Sequence, residues 1–313
     1  MKGKTMGGIT SGTNRYIKLL HNPLTIFKGF SNTYFSRLIP DKAYLKFMYR
    51  VKNGERLNLK HPNSFTDKIN WLKINDKKPI YTQMVDKYLA RDFVSERIGA
   101  DYLVPLLGVW DKASDINFNE LPDQFVLKCN HNSGNGFYMC HDKRVMDKEK
   151  VIKQLNTGMK EDFYYKYREW PYKNVKRKII AEPLMQNTNG KPLVDYKVFC
   201  FAGEPKFLQI NSNRFSGGEI MTDFYDVEWN YLNIQEGGGH YPQAGDVFDK
   251  PLFFEELLYV SSVLSQNVPQ LRVDFNCWDN KLYFGELTFY HNAGMNPFMP
   301  EEWNDRIGDL ISI

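Results

Sequence analysis

The sequence predicts an α+β protein in which antiparallel sheets are covered by helices. Three observations lead there. Residues 196–210 and 272–289 each alternate polar and apolar side chains about a short polar turn, the pattern of a hairpin. Residues 63–75 and 81–98 carry apolar stripes at helical spacing. No internal repeat or low-complexity tract competes with this reading, and 313 residues suffice for two lobes around a cleft.

Taken in order, residues 1–15 are rich in Gly, Thr and Ser, the composition of a mobile terminus. Residues 41–52 and 63–75 read as short helices. In the second, Ser64 can cap while Phe65, Ile69, Trp71 and Leu72 form the apolar stripe. Residues 81–98 read as one helix ended by Gly99. Tyr102–Trp110 and Gln124–Cys129 are strands. A glycine-rich turn, His131–Gly136, leads to a short strand at Phe137–Cys140. Helices follow at Asp147–Met159 and Asp162–Glu169, then a strand at Lys178–Glu182 and a turn at Met185–Gly190. Tyr196–Ala202 and Pro205–Ile210 form a hairpin around Gly203-Glu204. Residues 211–250, with Gly237-Gly238-Gly239, read as loop. Phe253–Gln266 is a helix, and Arg272–Cys277 with Lys281–Phe289 form the last hairpin around Asp279-Asn280.

Composition is that of a soluble globular protein, with 42% hydrophobic and 25% charged residues. The net charge of +4 is unevenly spread. Residues 1–60 hold twelve Lys/Arg against Asp41 and Glu55, and the remainder is net acidic. Such a segment either meets an anionic partner, with phospholipid headgroups, nucleic acid and anionic glycans as candidates, or is a solvated basic face. Residues 16–35 mix apolar and basic side chains about Pro23 and either lie on a membrane surface or pack on their own domain. No apolar stretch approaches a membrane span, and Lys2 and Lys4 precede no apolar leader core. Cys129, Cys140, Cys200 and Cys277 have neither zinc spacing nor a CxxC pair, so four free thiols are expected. The expected location is the cytoplasm, with a peripheral position at the inner face of the membrane open to the basic segment.

The chemistry concentrates in the last hairpin, LRVDFNCWDNKLYFGELTF. Strand alternation places Arg272, Asp274 and Asn276 on one face and Val273 and Phe275 on the other. On the returning strand Glu286 and Thr288 share a face. If Asp274 lies opposite Glu286, two carboxylates sit about 5 Å apart, an arrangement that calls for a cation such as Mg²⁺ shared with phosphate oxygens. That pairing expects an odd-length turn centred on Asn280, because a two-residue turn shifts the register by one and separates the acids. The other reading is a solvated polar face. In FVLKCNHNSGNGF, Lys128 ends an apolar strand and glycines follow at once. Glycines let backbone N–H groups converge on phosphate, although no Walker-type GK[ST] is present; a plain hairpin turn is the alternative. KIIAEPLM is an apolar strand that runs out at Glu182 and Pro183, and Asp195 and Lys197 share a face of DYKVF.

The order of these features resembles that of ATP-grasp enzymes. More narrowly, roughly residues 60–313 resemble the teichuronopeptide-biosynthesis (TupA-like) ATP-grasp family. The strings that carry this are FTDKINWLK, DKYLARDFV, IGADYLVPLLGVW, LPDQFVLKCNHNSGNG, EWPYKNVKRKIIAEPL, DYKVFCFAGEPKF, RVDF and YFGELTF. The resemblance implies two α+β lobes gripping ATP between antiparallel sheets, with a central lobe at about 100–185 and a C-terminal lobe at about 186–313, after a basic helical segment over 1–60. It implies that Lys87 and Lys128 hold phosphates, that Ser133, Gly134 and Gly136 close over them, and that Glu182, Leu184 and Met185 belong to the adenine hinge. Asp274 and Glu286 look like Mg²⁺ ligands. Thr288 stands where the wider fold has Asn, so a hydroxyl replaces the usual amide oxygen. Arg272 and Lys197 are the catalytic candidates, and Arg91, Arg214, His291, Asn292 and Gly294 the substrate contacts; Arg91 could also stand in for Lys87.

The implied activity is ATP- and Mg²⁺-dependent joining of a carboxylate, of a uronic acid or amino acid, to a small amine in surface-polysaccharide synthesis, with no role for nucleic acid. A glycosyltransferase of capsule or lipopolysaccharide synthesis is the main alternative, and the absence of any Asp-x-Asp motif counts against its metal-dependent form. A glycan kinase and a non-catalytic binding module are the others.

Overall fold

The computed structural model describes residues 34–188, 190, 193–212, 219–237 and 241–313. The Gly/Thr/Ser-rich start, residues 16–33 of the apolar–basic segment, and Arg214 lie outside them. Helix α1 (Asp41–Asn53) and helix α2 (Phe65–Asn75) form as expected, and the Ser64 hydroxyl caps α2 by accepting the Asp67 N–H at 3.3 Å. No helix among the described residues is long and apolar enough to cross a membrane. All four thiols are free.

The helix expected over 81–98 is instead two, α3 (Ile80–Val85) and α4 (Ala90–Ile98). The buried Asp86 carboxylate breaks it. Its Oδ1 accepts the N–H groups of Tyr88 and Leu89 at 2.8 and 3.3 Å and the Asn130 amide at 2.7 Å. A short side-chain acceptor here outcompetes the helical backbone bonds.

Four antiparallel strands make the first sheet: β1 (Gly108–Trp110), β2 (Phe125–Cys129), β3 (Phe137–Cys140) and β4 (Ile179–Pro183), in the order β1-β4-β2-β3. Only the last three residues of the Tyr102–Trp110 expectation pair as strand. Helix α5 (Lys148–Met159) covers this sheet through Val151 and Leu155, and a short helix, α6 (Phe163–Tyr167), follows.

The second sheet has six antiparallel strands. They are β5 (Val194–Phe201), β6 (Glu204–Ser212), β7 (Met221–Asp226), β8 (Tyr231–Leu232), β10 (Gln270–Trp278) and β11 (Lys281–Thr288), in the order β11-β10-β5-β6-β7-β8. β5 and β6 turn at Ala202-Gly203, both with positive φ, one residue earlier than expected. β7 corrects the reading of 211–250 as loop; buried Phe224 and Tyr225 anchor it inside a polar, glycine-rich stretch. Helices α2, α3, α4 and α7 (Phe254–Leu264) share this sheet's apolar core. A two-stranded ribbon pairs β9 (Gln235–Glu236) with β12 (Phe298–Met299), and the last helix, α8 (Glu301–Asp309), had no counterpart in the sequence reading. The basic helix α1 is docked: Tyr44, Leu45, Met48 and Tyr49 pack with Trp71, Ile74 and Met295.

The last hairpin settles the register question. Asp279 and Asn280 both have positive φ and make a two-residue turn, so Trp278 pairs with Lys281. That turn alone would place Asp274 and Glu286 on opposite faces. They nevertheless pair directly, because Gly285 is the extra residue of a bulge between the Phe275–Phe284 and Asp274–Glu286 pairs.

α8 meets the start of α2 through Gly308, where an added Cβ would strike the backbone of Asn63, Ser64 and Phe65. Gly308→Ala should therefore destabilise the protein by about 1–3 kcal/mol, read as a lower midpoint in chemical denaturation. An unchanged midpoint would show that the two helices are not in contact here.

Candidate active site

A cavity of about 750 Å³ opens between the two main sheets. On the first wall, Lys128 near the end of β2 reaches across to Glu182 on β4, Nζ to Oε2 at 2.5 Å. The loop after β2 brings Ser133, Gly134 and Gly136 into the lining; Gly134 and Gly136 both have positive φ. Gly136 sits against Cys129 and the Cα of Gly158 on α5, with no room for a Cβ. Beyond Glu182, Pro183 ends β4, and Leu184 and Met185 continue the lining along chain that has left the sheet.

The break between α3 and α4 matters here. It displays Lys87, whose Nζ donates to the Asn132 carbonyl at 2.8 Å and lies 3.6 Å from Glu286 Oε2. Lys87 thus ties the glycine loop to the acidic hairpin. Arg91 does not line the cavity. Placed on the next helix by the same break, it pairs with the far oxygen of Glu182 at 3.7 Å.

The second wall is the polar face of β5, β6, β10 and β11. Asp274 accepts a two-pronged contact from Arg272, Nε to Oδ1 and Nη2 to Oδ2, both 2.7 Å. Lys197, opposite Asp274 on β5, adds Nζ to Oδ2 at 2.7 Å. All three side chains are buried. Arg272 Nη2 also lies 3.4 Å from Glu286 and 3.1 Å from Thr288 Oγ1. Burial opposes the Arg272 charge, but Asp274, and then Glu286 and Glu236, hold its pKa above the usual guanidinium value. Thr288 does not line the cavity; its hydroxyl links Arg272 and Glu286.

After β11 the chain makes a left-handed turn. Asn292, Ala293 and Gly294 have φ of 48°, 54° and 60°. Such conformations cost non-glycine residues about 1–3 kcal/mol each and persist only when the surroundings enforce them. The enforcing groups come from the N-terminal helices. Lys73 donates to the Ala293 carbonyl, Asn70 to that of Gly294 at 2.6 Å, and Asn53 to that of Met295 at 3.1 Å. The turn presents His291 and Asn292 to the cavity, whereas Gly294 faces Ile69 and Asn70 behind it. Burial pushes the His291 imidazole below its ordinary pKa against the pull of Glu236. Glu236, which the sequence reading left in loop, is a lining residue held by His291 Nε2 at 3.1 Å and Asn292 Nδ2 at 2.8 Å. Burial pushes its carboxyl up, and His291, Asn292 and Arg272 pull it further down, to about 2. Its neighbours in sequence, a run of glycines, carry no signal of this role. Gln209 and Asn211 of β6 join the lining in the same way.

The residues fit a divalent cation of the hard, oxygen-seeking kind. Asp274 and Glu286 pair across adjacent strands and face one cleft, where Arg272, Lys197 and Lys87 now neutralise them. Among the described residues no group of three or more His, Cys, Asp or Glu converges. Two carboxylates therefore leave room for oxygens from water and phosphate, the usual Mg²⁺ environment.

Truncating Asp274 leaves two buried cations without their shared partner. Asp274→Ala should cost about 3–5 kcal/mol of stability, and Arg272→Met in the same chain should recover part of it. Equal denaturation midpoints for wild type and Asp274→Ala would refute the pairing.

Several solved structures are similar. D-alanine–D-alanine ligase from Bacillus anthracis, complexed with ATP, is 14% identical, with TM-score 0.38 and coverage of 66% of this chain. This chain spans 53% of that ligase, so about half its length. The D-cycloserine synthetase DcsG is 12% identical with TM-score 0.39, covering 79% of this chain and 70% of its own. The ATP-grasp ligase PsnB, complexed with minimal precursor, Mg and ADP, is 7% identical with TM-score 0.37, covering 71% of this chain and 57% of its own. No curated protein matches the sequence. The family profile described as TupA-like ATPgrasp matches residues 67–312. The chain belongs to the TupA-like ATP-grasp family.

Proposed function

We propose that this chain is an ATP- and Mg²⁺-dependent ligase that activates a carboxylate as an acyl phosphate and joins it to an amine. The observation that carries the reading is the Asp274–Glu286 pair facing Lys87, Lys128 and the glycine loop across one cavity. When bound, Mg²⁺ and ATP would supply charge neutralisation and the phosphoryl group, with Asp274 and Glu286 as the protein's metal ligands. The chain's own residues do the rest. Lys128 and Lys87 offer point charges to phosphate oxygens, and the backbone of Ser133–Gly136 offers N–H groups. Where β4 ends and the chain leaves the sheet, Leu184 and Met185 offer backbone groups to a base edge, beside Glu182 near the end of the strand. Arg272, fixed by Asp274 and His291, holds an anionic carboxylate in place and stabilises the charge that builds during transfer.

Family membership and a cleft of this volume support a sugar-acid or amino-acid carboxylate, within surface-polysaccharide synthesis, as the substrate. The net basic N-terminal stretch supports contact with a lipid-linked or anionic glycan at the inner face of the membrane.

In the presence of Mg²⁺ and a panel of uronic acids and amino acids, the protein should release ADP from ATP. Asp274→Asn and Lys128→Ala should each lower the rate by about 100-fold or more. Release of UDP from a UDP-sugar in place of ADP would replace the ligase reading with a glycosyltransferase. Metal dependence is a separate check. Mg²⁺ should tighten ADP binding by calorimetry in wild type but not in Glu286→Gln, and equal tightening in both would remove Glu286 from the metal site.

A further inference from the structure

Glu236 has no part in the reaction as described, yet it is built into the wall of the cleft with care. We propose that Glu236 is a positioning residue that acts through His291 to hold the guanidinium of Arg272 in place.

The argument is one of donors and acceptors. Arg272 Nη1 lies 2.7 Å from His291 Nδ1. A guanidinium only donates, so Nδ1 must be the accepting nitrogen. A neutral imidazole then carries its proton on Nε2, and Nε2 lies 3.1 Å from Glu236 Oε1. The other carboxylate oxygen accepts the Asn292 amide at 2.8 Å. Asn292 Nδ2 is also 3.1 Å from His291 Nε2, but two donors cannot bond, so its hydrogens serve Glu236. One tautomer satisfies every group in the chain Glu236–His291–Arg272–Asp274.

The ring is clamped as well as bonded. Phe298 stacks on it with centroids 5.5 Å apart and planes 5° apart, and Phe199 meets it edge-on at 5.0 Å. His291 is 1% exposed, so no water competes for its nitrogens. Glu236 and Phe298 are register partners in the β9–β12 ribbon. The same ribbon therefore sets both the carboxylate and the aromatic plane that fix the imidazole. The other tautomer would place an N–H against the guanidinium, and a ring turned over would place a C–H there; either leaves Arg272 with an unpaired donor, costly in a buried site. The consequence for catalysis rests on the ligase reading, in which Arg272 must meet the reacting carboxylate in one orientation.

The test has a part that needs no substrate. In ¹⁵N-histidine-labelled protein at neutral pH, His291 should appear as the neutral Nε2–H tautomer; an Nδ1–H tautomer or an imidazolium overturns the proposal. In ADP release, Glu236→Leu and His291→Leu should each lose about 10-fold or more in kcat, with ADP affinity unchanged, and the double variant should lose little beyond either. His291→Gln can present its carbonyl to Arg272 and its amide to Glu236, and should exceed His291→Leu by about 10-fold. Wild-type turnover in Glu236→Leu, additive losses in the double variant, or equal rates for the Gln and Leu variants at 291 each count against it. If wild type forms no ADP at all, the ligase reading fails, and the tautomer alone decides the relay.

Discussion

Asp274 is the group on which the cleft wall depends. Its two oxygens bind Arg272 through two contacts and Lys197 through a third, all at 2.7 Å and all buried. Around that core, Arg272, Lys197 and Lys87 stand against Asp274, Glu286 and Glu236, so formal charges balance. A buried ion pair gains little over well-packed apolar side chains of the same volume, because desolvation consumes most of the Coulomb attraction. The network is therefore poorly explained as a stabilising device. On the proposed ligase reading it is a set of charges already desolvated and oriented, ready to exchange partners with an anionic ligand and its cation.

That wall is reached only through elements distant in sequence. The left-handed turn at 292–294 presents His291 and Asn292, and its carbonyls are taken up by Lys73, Asn70 and Asn53. Helices α1 and α2 therefore have a mechanical role in the site although neither lines it. The motif FTDKINWLK, which on its own looks like an ordinary amphipathic helix, contains both Asn70 and Lys73 for this purpose. Their buried amide and amine would be expensive without partners, and a strained turn would relax without them; each removes the other's cost.

Much of the fold was legible in the residues. β2, β3, β5, β6, β10 and β11 follow from apolar alternation, and α2 and α5 from their stripes and caps. The failures have local causes. Asp86 cuts a helix that periodicity alone runs through, since its carboxylate satisfies the next backbone amides. β7 was hidden because only a few apolar residues mark a strand flanked by glycines. The site was legible where chemistry and spacing coincide, at Lys128 with its glycine loop and at Asp274 with Glu286. It was not legible at Glu236, an acid beside glycines whose partner lies 55 positions away.

Sequence by itself determined the two hairpins, the glycine loop after β2 and the presence of two acids on neighbouring strands, because each depends on residues near one another along the chain, where alternation and turn chemistry act directly. Whether that acidic pair shares a face was decided only in three dimensions. The Asp279-Asn280 turn has the length that separates the two carboxylates, and the bulge at Gly285 brings them back together. A bulge answers to packing and hydrogen bonding across the sheet, which local pattern does not record. The same holds for Arg272: its place on the strand was readable, but its orientation comes from Asp274, Lys197, His291 and Glu236, gathered from three strands and a turn by the closure of one core.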